Sequence, residues 1–302
     1  MDFRIEVGRW ITIAVEFLRD EFTPFFDGVA AVIGFVAESI EGLFLWMPPW
    51  LLGATLVVLA LWRVSWRFAL FTAASLILVM GMNLWAATAS TLALVLSASL
   101  IALAIGIPIG IAMAKNNTVE TIVRPVLDFM QTMPPFVYLI PAVMLFGLGK
   151  VPGTIATVVF AMPPVVRLTN LGIRQVSEEN VEAGLSFGCT DRQLLFKVQL
   201  PLAMPSIMAG VNQTIMLALS MVVIASMIGA GGLGNTVLTG IQRLNVGLGF
   251  EGGLGVVILA IILDRLTQSF GQREARVGVI DRLKQLGELL GGARPDAGAR
   301  PR

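Results

Sequence analysis

The sequence contains no histidine and only one cysteine, Cys189. A single cysteine cannot form a disulfide bond within the chain. Without histidine or clustered cysteines, the chain also lacks the ligand sets typical of zinc and haem sites. These absences argue against a metalloprotein or a disulfide scaffold and leave the hydrophobic composition as the main source of information.

Charge is also scarce, because only 14% of the 302 residues are charged while 56% are hydrophobic. Average soluble chains carry about 25% charged residues. The uncharged runs are long, among them 68–114 and 198–242. A bilayer core requires about 20 apolar residues per helix, and lipid offers no partner to an open backbone group. This pattern excludes a water-soluble helical protein and predicts an all-α integral membrane protein.

The apolar runs predict about seven transmembrane helices. They lie near residues 46–62, 67–83, 88–114, 128–149, 152–171, 205–229 and 249–266. We expect four parts along the chain: an amphipathic N-terminal segment on the external surface (1–45), two accessory transmembrane helices (46–83), a core (84–270) and a partly disordered cytoplasmic tail (271–302).

Basic residues indicate the orientation of these spans. With seven spans, the segments rich in lysine and arginine, including Arg63, Lys115, Arg174 and Lys197, fall on one side of the membrane. Cytoplasmic segments carry the excess of basic residues. The N-terminus is therefore expected outside and the C-terminus inside, with the loop at 176–203 in the cytoplasm.

The loop at 176–203 is the most charged segment between two long apolar runs, and its first half predicts a short helix. Ser177 can cap a helix over 178–187. Gly188 stands where the end of such a helix favours a residue that can adopt positive φ. The loop therefore begins as a helix followed by a tight turn.

The second half of the loop predicts another short helix. Thr190 and Gln193 have the spacing of a capping box, in which two side chains satisfy two free N–H groups. Pro201 lies where the next span begins. The missing N–H of a proline costs little there, because the first N–H groups of a helix have no partner within the helix. We therefore expect a compact helix-turn-helix on the membrane surface.

This loop resembles the cytoplasmic motif of permease subunits of binding-protein-dependent ABC importers, which reads EAA, three residues, G, nine residues, I, one residue, LP. Here the motif is Glu182-Ala183-Gly184, then Gly188, Val198 and Leu200-Pro201. Gly184 replaces the third alanine and Val198 replaces isoleucine. Residues 130–141, 146–149, 213–221 and 258–265 are similar to the glycine betaine/proline branch of that family.

The resemblance implies a type I permease core in which the first loop helix is a coupling helix that docks in a groove of a separate ATPase. It implies two permease chains, expected to be a homodimer, in the bacterial cytoplasmic (inner) membrane. The expected partners are two ATP-binding subunits and an external or periplasmic substrate-binding protein. The residues that it assigns to ATPase coupling are Glu182, Ala183, Gly184, Leu185, Phe187, Gly188, Val198, Leu200 and Pro201.

Prolines at 134, 135, 141, 163 and 164 indicate broken or bent helices in the core, which membranes tolerate only where they face protein or a cavity. These helices and the next span are therefore predicted to line a translocation path. Hydrogen bonding between helices is the alternative role for each polar residue there. The candidates are Gln131, Thr132, Tyr138, Asn212, Gln213, Thr214 and Ser220.

The chain has no GxxxxGK[ST] motif, since its only Gly-Lys pair, Gly149-Lys150, is followed by Val151. We therefore expect a permease that is not itself an enzyme and holds no cofactor, with ATP and Mg bound by the partner ATPase. The resemblance implies glycine betaine or a related quaternary or methylated amine as ligand. Choline, carnitine and trimethylamine N-oxide remain alternatives, and an ion-gradient-driven secondary transporter is the alternative class.

Overall fold

The computed structural model describes residues 6–271, and every regular element in that range is helical. The predicted all-α class is confirmed. From residue 272 onward, the predicted cytoplasmic tail lies outside the described residues. The helices are α1 (Val7–Glu21), α2 (Thr23–Trp46), α3 (Pro49–Arg63), α4 (Trp66–Gly81), α5 (Trp85–Lys115), α6 (Asn117–Thr132), α7 (Pro135–Phe146), α8 (Lys150–Ala161), α9 (Pro163–Arg174), α10 (Glu178–Ser186), α11 (Asp191–Leu194), α12 (Leu200–Ser226), α13 (Gly232–Gln242) and α14 (Val246–Gly271).

Within residues 6–271, five helices are long and apolar enough to cross a membrane. They are Thr23–Trp46, Trp85–Lys115, Lys150–Arg174, Asp191–Ser226 and Val246–Gly271. The pair α6 and α7 would add a sixth, and the apolar helices α3 and α4 have only 15 and 16 residues. The expected number of about seven spans stays a prediction.

The predicted amphipathic N-terminal segment contains two helices, α1 and α2. Its second helix, α2, has the length and hydropathy of a span and packs against α5 and α8. Two glutamates, Glu38 and Glu41, interrupt the apolar sequence of α2. Glu41 is buried in the structure, so α2 places this carboxylate against the core and not in solvent. Surface placement stays a prediction for α1.

The predicted fourth span is not one straight helix. α6 ends at Thr132, α7 begins at Pro135, and the two helices are bent by 103°. The prolines explain the break, because proline lacks the N–H that a continuing helix would use and disfavours helical backbone in the residue before it. Pro163 similarly marks the boundary between α8 and α9, although these two helices together satisfy the criterion for one span.

Helix α5 lies at the centre of the fold and packs against α2, α8, α9, α12 and α13. Its small residues permit close approach to α9. A Cβ atom added at Gly110 would lie 2.6 Å from Thr169 Cβ and 2.7 Å from the carbonyl oxygen of Val166. Backbones can come this close only where one helix carries glycine. The central contact therefore requires glycine at this position.

The helix that follows the charged loop is longer than expected. α11 continues through a π-helical turn, Leu195–Gln199, into α12 without a break, giving one helix from Asp191 to Ser226. The predicted second short helix and the predicted sixth span are therefore the same element. Pro201 lies in the first turn of α12, directly after the π-helical turn.

Candidate functional site

Helix α10 begins at the predicted position but is capped differently. Ser177 occupies the N-cap position, yet its side chain accepts no hydrogen bond from the backbone. Its Oγ accepts one from Asn180 Nδ2 at 2.8 Å instead. The expected helix start is confirmed, whereas the expected capping hydrogen bond is wrong. The carboxylates of Glu178 and Glu179 in the first turn favour this helix end electrostatically.

The end of α10 is formed around Gly188, as the sequence predicts. Gly188 has φ of +77°. Its N–H donates to the carbonyl of Leu185 at 2.9 Å, and the N–H of Cys189 donates to the carbonyl of Gly184 at 3.1 Å. This pair of bonds is the Schellman motif, which satisfies carbonyls that a helix end leaves free. It fixes the direction in which the chain leaves α10.

The predicted capping box at the start of α11 is present. Gln193 N donates to Thr190 Oγ1 at 3.4 Å, and Thr190 N donates to Gln193 Oε1 at 3.0 Å. Beyond the box, the Lys115 ammonium donates to Gln199 Oε1 at 2.6 Å and ties the end of α5 to the π-helical turn. The loop is therefore attached to the core at its second half.

Gly184 lies at the contact between α10 and the long helix. It is buried, and a Cβ atom added there would lie 2.8 Å from Leu194 Cδ1 and 3.6 Å from Val198 Cγ2. The two motif positions that depart from the consensus, Gly184 and Val198, thus face each other. Leu200 and Pro201 are half-buried at the base of α12, while Ala183 is exposed.

Apolar side chains on the other side of the loop are exposed. Leu185 is 50% exposed and Phe187 is 90% exposed. Glu182 is also exposed and borders a groove of about 350 Å³ that lies between α10 and the ends of α5 and α9. Arg174 and Glu178 also line this groove. Two exposed apolar side chains on one short helix are available for contact with a protein partner.

Three predicted path residues lie at the bend between α6 and α7. Gln131 and Thr132 are exposed, and Thr132 Oγ1 donates to the carbonyl of Phe129 at 3.3 Å. Tyr138 donates its hydroxyl to the carbonyl oxygen of Met130 and lies 3.3 Å from that of Phe129. Met133 N–H already donates to the carbonyl of Phe129, whereas Pro134 has no N–H to donate to that of Met130. Tyr138 therefore satisfies the carbonyl that the bend leaves free at the end of α6.

The other four lie on α12, and their surroundings differ. Gln213 and Ser220 are exposed. Thr214 is fully buried, and its Oγ1 has no hydrogen-bond partner among the described residues. Asn212 donates to Asp264 Oδ1 at 2.9 Å and accepts from the hydroxyl of Thr267, which joins α12 to α14. Asn212 therefore makes the contact between helices that was the alternative role. The assignment of all seven to the path stays a prediction.

Sequence reasoning missed two ion pairs between α6 and α9. Arg174 pairs with Glu120 at 2.9 Å, and Arg167 contacts Asp128. The charged residues were used to place membrane boundaries, so their partners went unnoticed. The spacing of the charges could have indicated the pairing. Glu120 and Asp128 are about two helical turns apart, as are Arg167 and Arg174, so two antiparallel helices can join both pairs.

Comparisons with known proteins place the chain in a family of transport proteins. Residues 106–276 match the family model described as "Binding-protein-dependent transport system inner membrane component". The glycine betaine/carnitine transport permease of Listeria monocytogenes is 53% identical over 89% of this chain and 96% of its own length. The glycine betaine/proline betaine transport system permease of Escherichia coli is 51% identical, covering 89% and 76%. The glycine betaine permease of Bacillus subtilis is 48% identical, covering 88% and 94%.

More distant relatives carry other ligand names. Permeases named for trimethylamine N-oxide, carnitine or choline transport are 31% to 37% identical to this chain. Among solved structures, an inward-facing methionine ABC transporter aligns with a TM-score of 0.54 at 22% identity, covering 68% of this chain and 97% of that one. At that identity the likeness concerns the fold.

Proposed function

Since the chain belongs to the family of inner membrane components of binding-protein-dependent transport systems, we propose that it imports glycine betaine or a related quaternary or methylated amine as an osmoprotectant. The chain is the membrane subunit of an ABC importer and works with an ATPase and a binding protein in the bacterial inner membrane. The family assignment argues against the secondary-transporter alternative.

The observation that carries the ligand class is the order of similarity. Relatives named for glycine betaine are 48% to 53% identical over nearly the whole chain, whereas those named for choline or trimethylamine N-oxide are at most 37% identical. Carnitine is the second candidate, because the Listeria relative at 53% identity is named for both ligands.

In this proposal the loop at 176–203 couples the permease to a separate ATPase that binds ATP and Mg. Two features support the assignment of α10 as the coupling helix. Leu185 and Phe187 expose apolar surface beyond the apolar core, and Glu182 adds a charge beside them. The Schellman turn at Gly188 and the packing of Gly184 on Leu194 hold this surface in a fixed orientation on the long helix.

Further parts of the proposal concern assembly and orientation. Two copies of this permease would enclose one path, with two ATPase subunits beneath them and an external binding protein above. The distribution of lysine and arginine supports a cytoplasmic loop, an external N-terminus and an internal C-terminus. The exposed polar residues Gln131, Gln213 and Ser220 are available to face the path.

Uptake of labelled glycine betaine tests the proposal. Cells that supply the ATPase and binding protein are compared with and without this chain, and unlabelled carnitine, choline and trimethylamine N-oxide are added as competitors. We expect uptake that depends on the chain and is displaced by unlabelled betaine. Uptake of a competitor alone would replace the ligand, and the absence of ATP-dependent uptake of all four would contradict the quaternary-amine class.

A further inference from the structure

Helices α6 and α9 run antiparallel and are joined by the two ion pairs described above. The order of the partners shows the direction, since Glu120 pairs with Arg174 while Asp128, further along α6, pairs with Arg167. Eight residues separate the two carboxylates, which corresponds to about 12 Å along a helix. One pair therefore lies at the end of α9 and the other lies deeper in the apolar part of the chain.

The pair at the end of α9 has the surroundings of a structural contact. The side chains of Arg174 and Glu120 are 35% and 26% exposed. Arg174 also donates to the carbonyl of Met113 at 2.8 Å, to Asn117 Oδ1 at 2.7 Å and to Asn170 Oδ1 at 2.9 Å. Its guanidinium thus joins α5, α6 and α9, and its hydrogen-bonding capacity is used within the fold.

The deeper pair is more open and less fully bonded. The side chains of Arg167 and Asp128 are 42% and 55% exposed. Arg167 Nε is buried and has no hydrogen-bond partner among the described residues. In a water-filled path a half-exposed ion pair contributes little to stability, so it can separate at small cost. Arg167 therefore combines an open charge with a donor that the fold leaves unused.

The position of this pair indicates a polar track rather than a lipid contact. Gln131 and Thr132 lie one turn beyond Asp128 on α6 and are exposed with it. Ionisable residues inside a membrane are costly, and they mark pathways or pair within protein. Asp128, Gln131 and Thr132 are exposed in the single chain and Arg167 is half-buried beside them, so these residues are available to line a space that a second chain would close.

We propose that Asp128 and Arg167 form a contact site for zwitterionic amines in the translocation path, an inference that rests on the function proposed above. Betaines carry one carboxylate and one quaternary ammonium group. The guanidinium fork of Arg167 matches the geometry of a carboxylate, while the carboxylate of Asp128 attracts the ammonium group by charge alone. The ligand exchanges partners with the ion pair, so no charge is left unpaired during passage.

Such a site fits a transporter because it is reversible. A path must bind its ligand strongly enough for entry and weakly enough for release. When the zwitterion leaves, Asp128 and Arg167 pair again, which favours release without a large conformational change. The pair is electrically neutral overall, as the ligand is, so the site needs no counterion.

The test uses the whole importer reconstituted in liposomes with its ATPase and its binding protein saturated with labelled glycine betaine. The measured quantity is the number of betaine molecules imported per ATP hydrolysed. For Asp128→Asn, Arg167→Gln and the double variant, we expect this ratio to fall by about tenfold, the effect of losing one charge-assisted contact. Glu120→Gln is the matched control, which should lower both rates together and leave the ratio unchanged.

A ratio that stays at the wild-type value in the double variant would overturn the inference, because a purely structural pair can be removed from both sides without leaving a charge unpaired. If the neutral variants fail to assemble, Arg167→Lys keeps the charge and removes the planar fork. We expect the ratio of betaine imported to ATP hydrolysed to fall by about threefold in this lysine variant. An unchanged ratio would also contradict the proposed contact site. Wild-type importer that transports no betaine would instead contradict the proposed function.

Discussion

The carboxylate of Glu41 contacts the ammonium group of Lys150, and this pair joins α2 to the first turn of α8. Glu41 also accepts a hydrogen bond from Ser90 Oγ at 2.6 Å, so α5 takes part as well. The side chain of Glu41 is 9% exposed and that of Lys150 is 42% exposed. A cation in the first turn of a helix is unfavourable by itself, and Glu41 offsets this cost.

Removal of either partner of the pair should destabilise the chain. We expect Lys150→Met to lower the free energy of unfolding by about 2 kcal/mol, because it leaves the buried carboxylate without its cation. Glu41→Gln should cost less, since Lys150 retains access to solvent. Thermal unfolding of the purified complex, measured for both single variants and the double variant, gives the coupling. Arg9→Gln, which removes a fully surface pair with Glu6, is the control and should have almost no effect.

Substitution of Gly188 should separate coupling from insertion. Gly188 has positive φ, which costs an L-residue with a side chain about 1–2 kcal/mol. Gly188→Asp adds a charge beside the exposed Phe187, and we expect it to abolish ATP-driven uptake while the chain still inserts. Gly188→Asn, which tolerates this backbone better without the charge, should retain part of the uptake. Normal uptake by the aspartate variant would remove the coupling role from this turn.

Gly184→Ala, which restores the consensus motif, should be tolerated. The added methyl group would meet Leu194 Cδ1 at 2.8 Å, and that atom is the end of a side chain that can rotate. We expect at least half of the wild-type uptake from this variant. Gly184→Leu cannot be accommodated in the same way and should separate α10 from the long helix. Equal uptake by both variants would show that this contact does not support coupling.

Gly110→Ala should destabilise the central contact between α5 and α9. The added methyl group would lie 2.7 Å from the backbone carbonyl of Val166, which cannot move without displacing α9. Overpacking of this kind costs about 2 kcal/mol. Gly42→Ala in α2 is the matched control, since nothing lies within 4 Å of its added atom. We expect a lower midpoint of thermal unfolding for the first variant and an unchanged or higher one for the second.

The features that the sequence predicted well depend on residues close together in the chain. Gly188 and the Thr190–Gln193 box follow from helix-end chemistry over a few positions. The bend at Pro134 was expected, but its angle of 103° was not, because tertiary packing sets the direction of a break. Glu41 and Lys150 are 109 residues apart, and no local pattern relates them.

The charged loop shows the same division. Its motif and first helix were predicted, whereas the fusion of α11 with α12 was not. A capping box that starts at Thr190 and a proline eleven residues later, Pro201, indicate two helix starts, so local rules favour two helices. The π-helical turn Leu195–Gln199 connects α11 to α12 without a break, so the two segments form one helix.

That continuous helix has a mechanical consequence. Thirty-six residues from Asp191 to Ser226 correspond to a helix of about 54 Å, longer than the roughly 40–45 Å thickness of a bilayer including its headgroups. It starts against α10 and ends just before Gly229 and Gly231, whose positive φ values end the helix in a turn. Under the proposed coupling, a tilt of about 5° at the loop would displace the opposite end by about 5 Å, given the rise per residue. If the loop docks on an ATPase as proposed, a small rotation there would therefore be transmitted as a larger displacement at the other end of this helix.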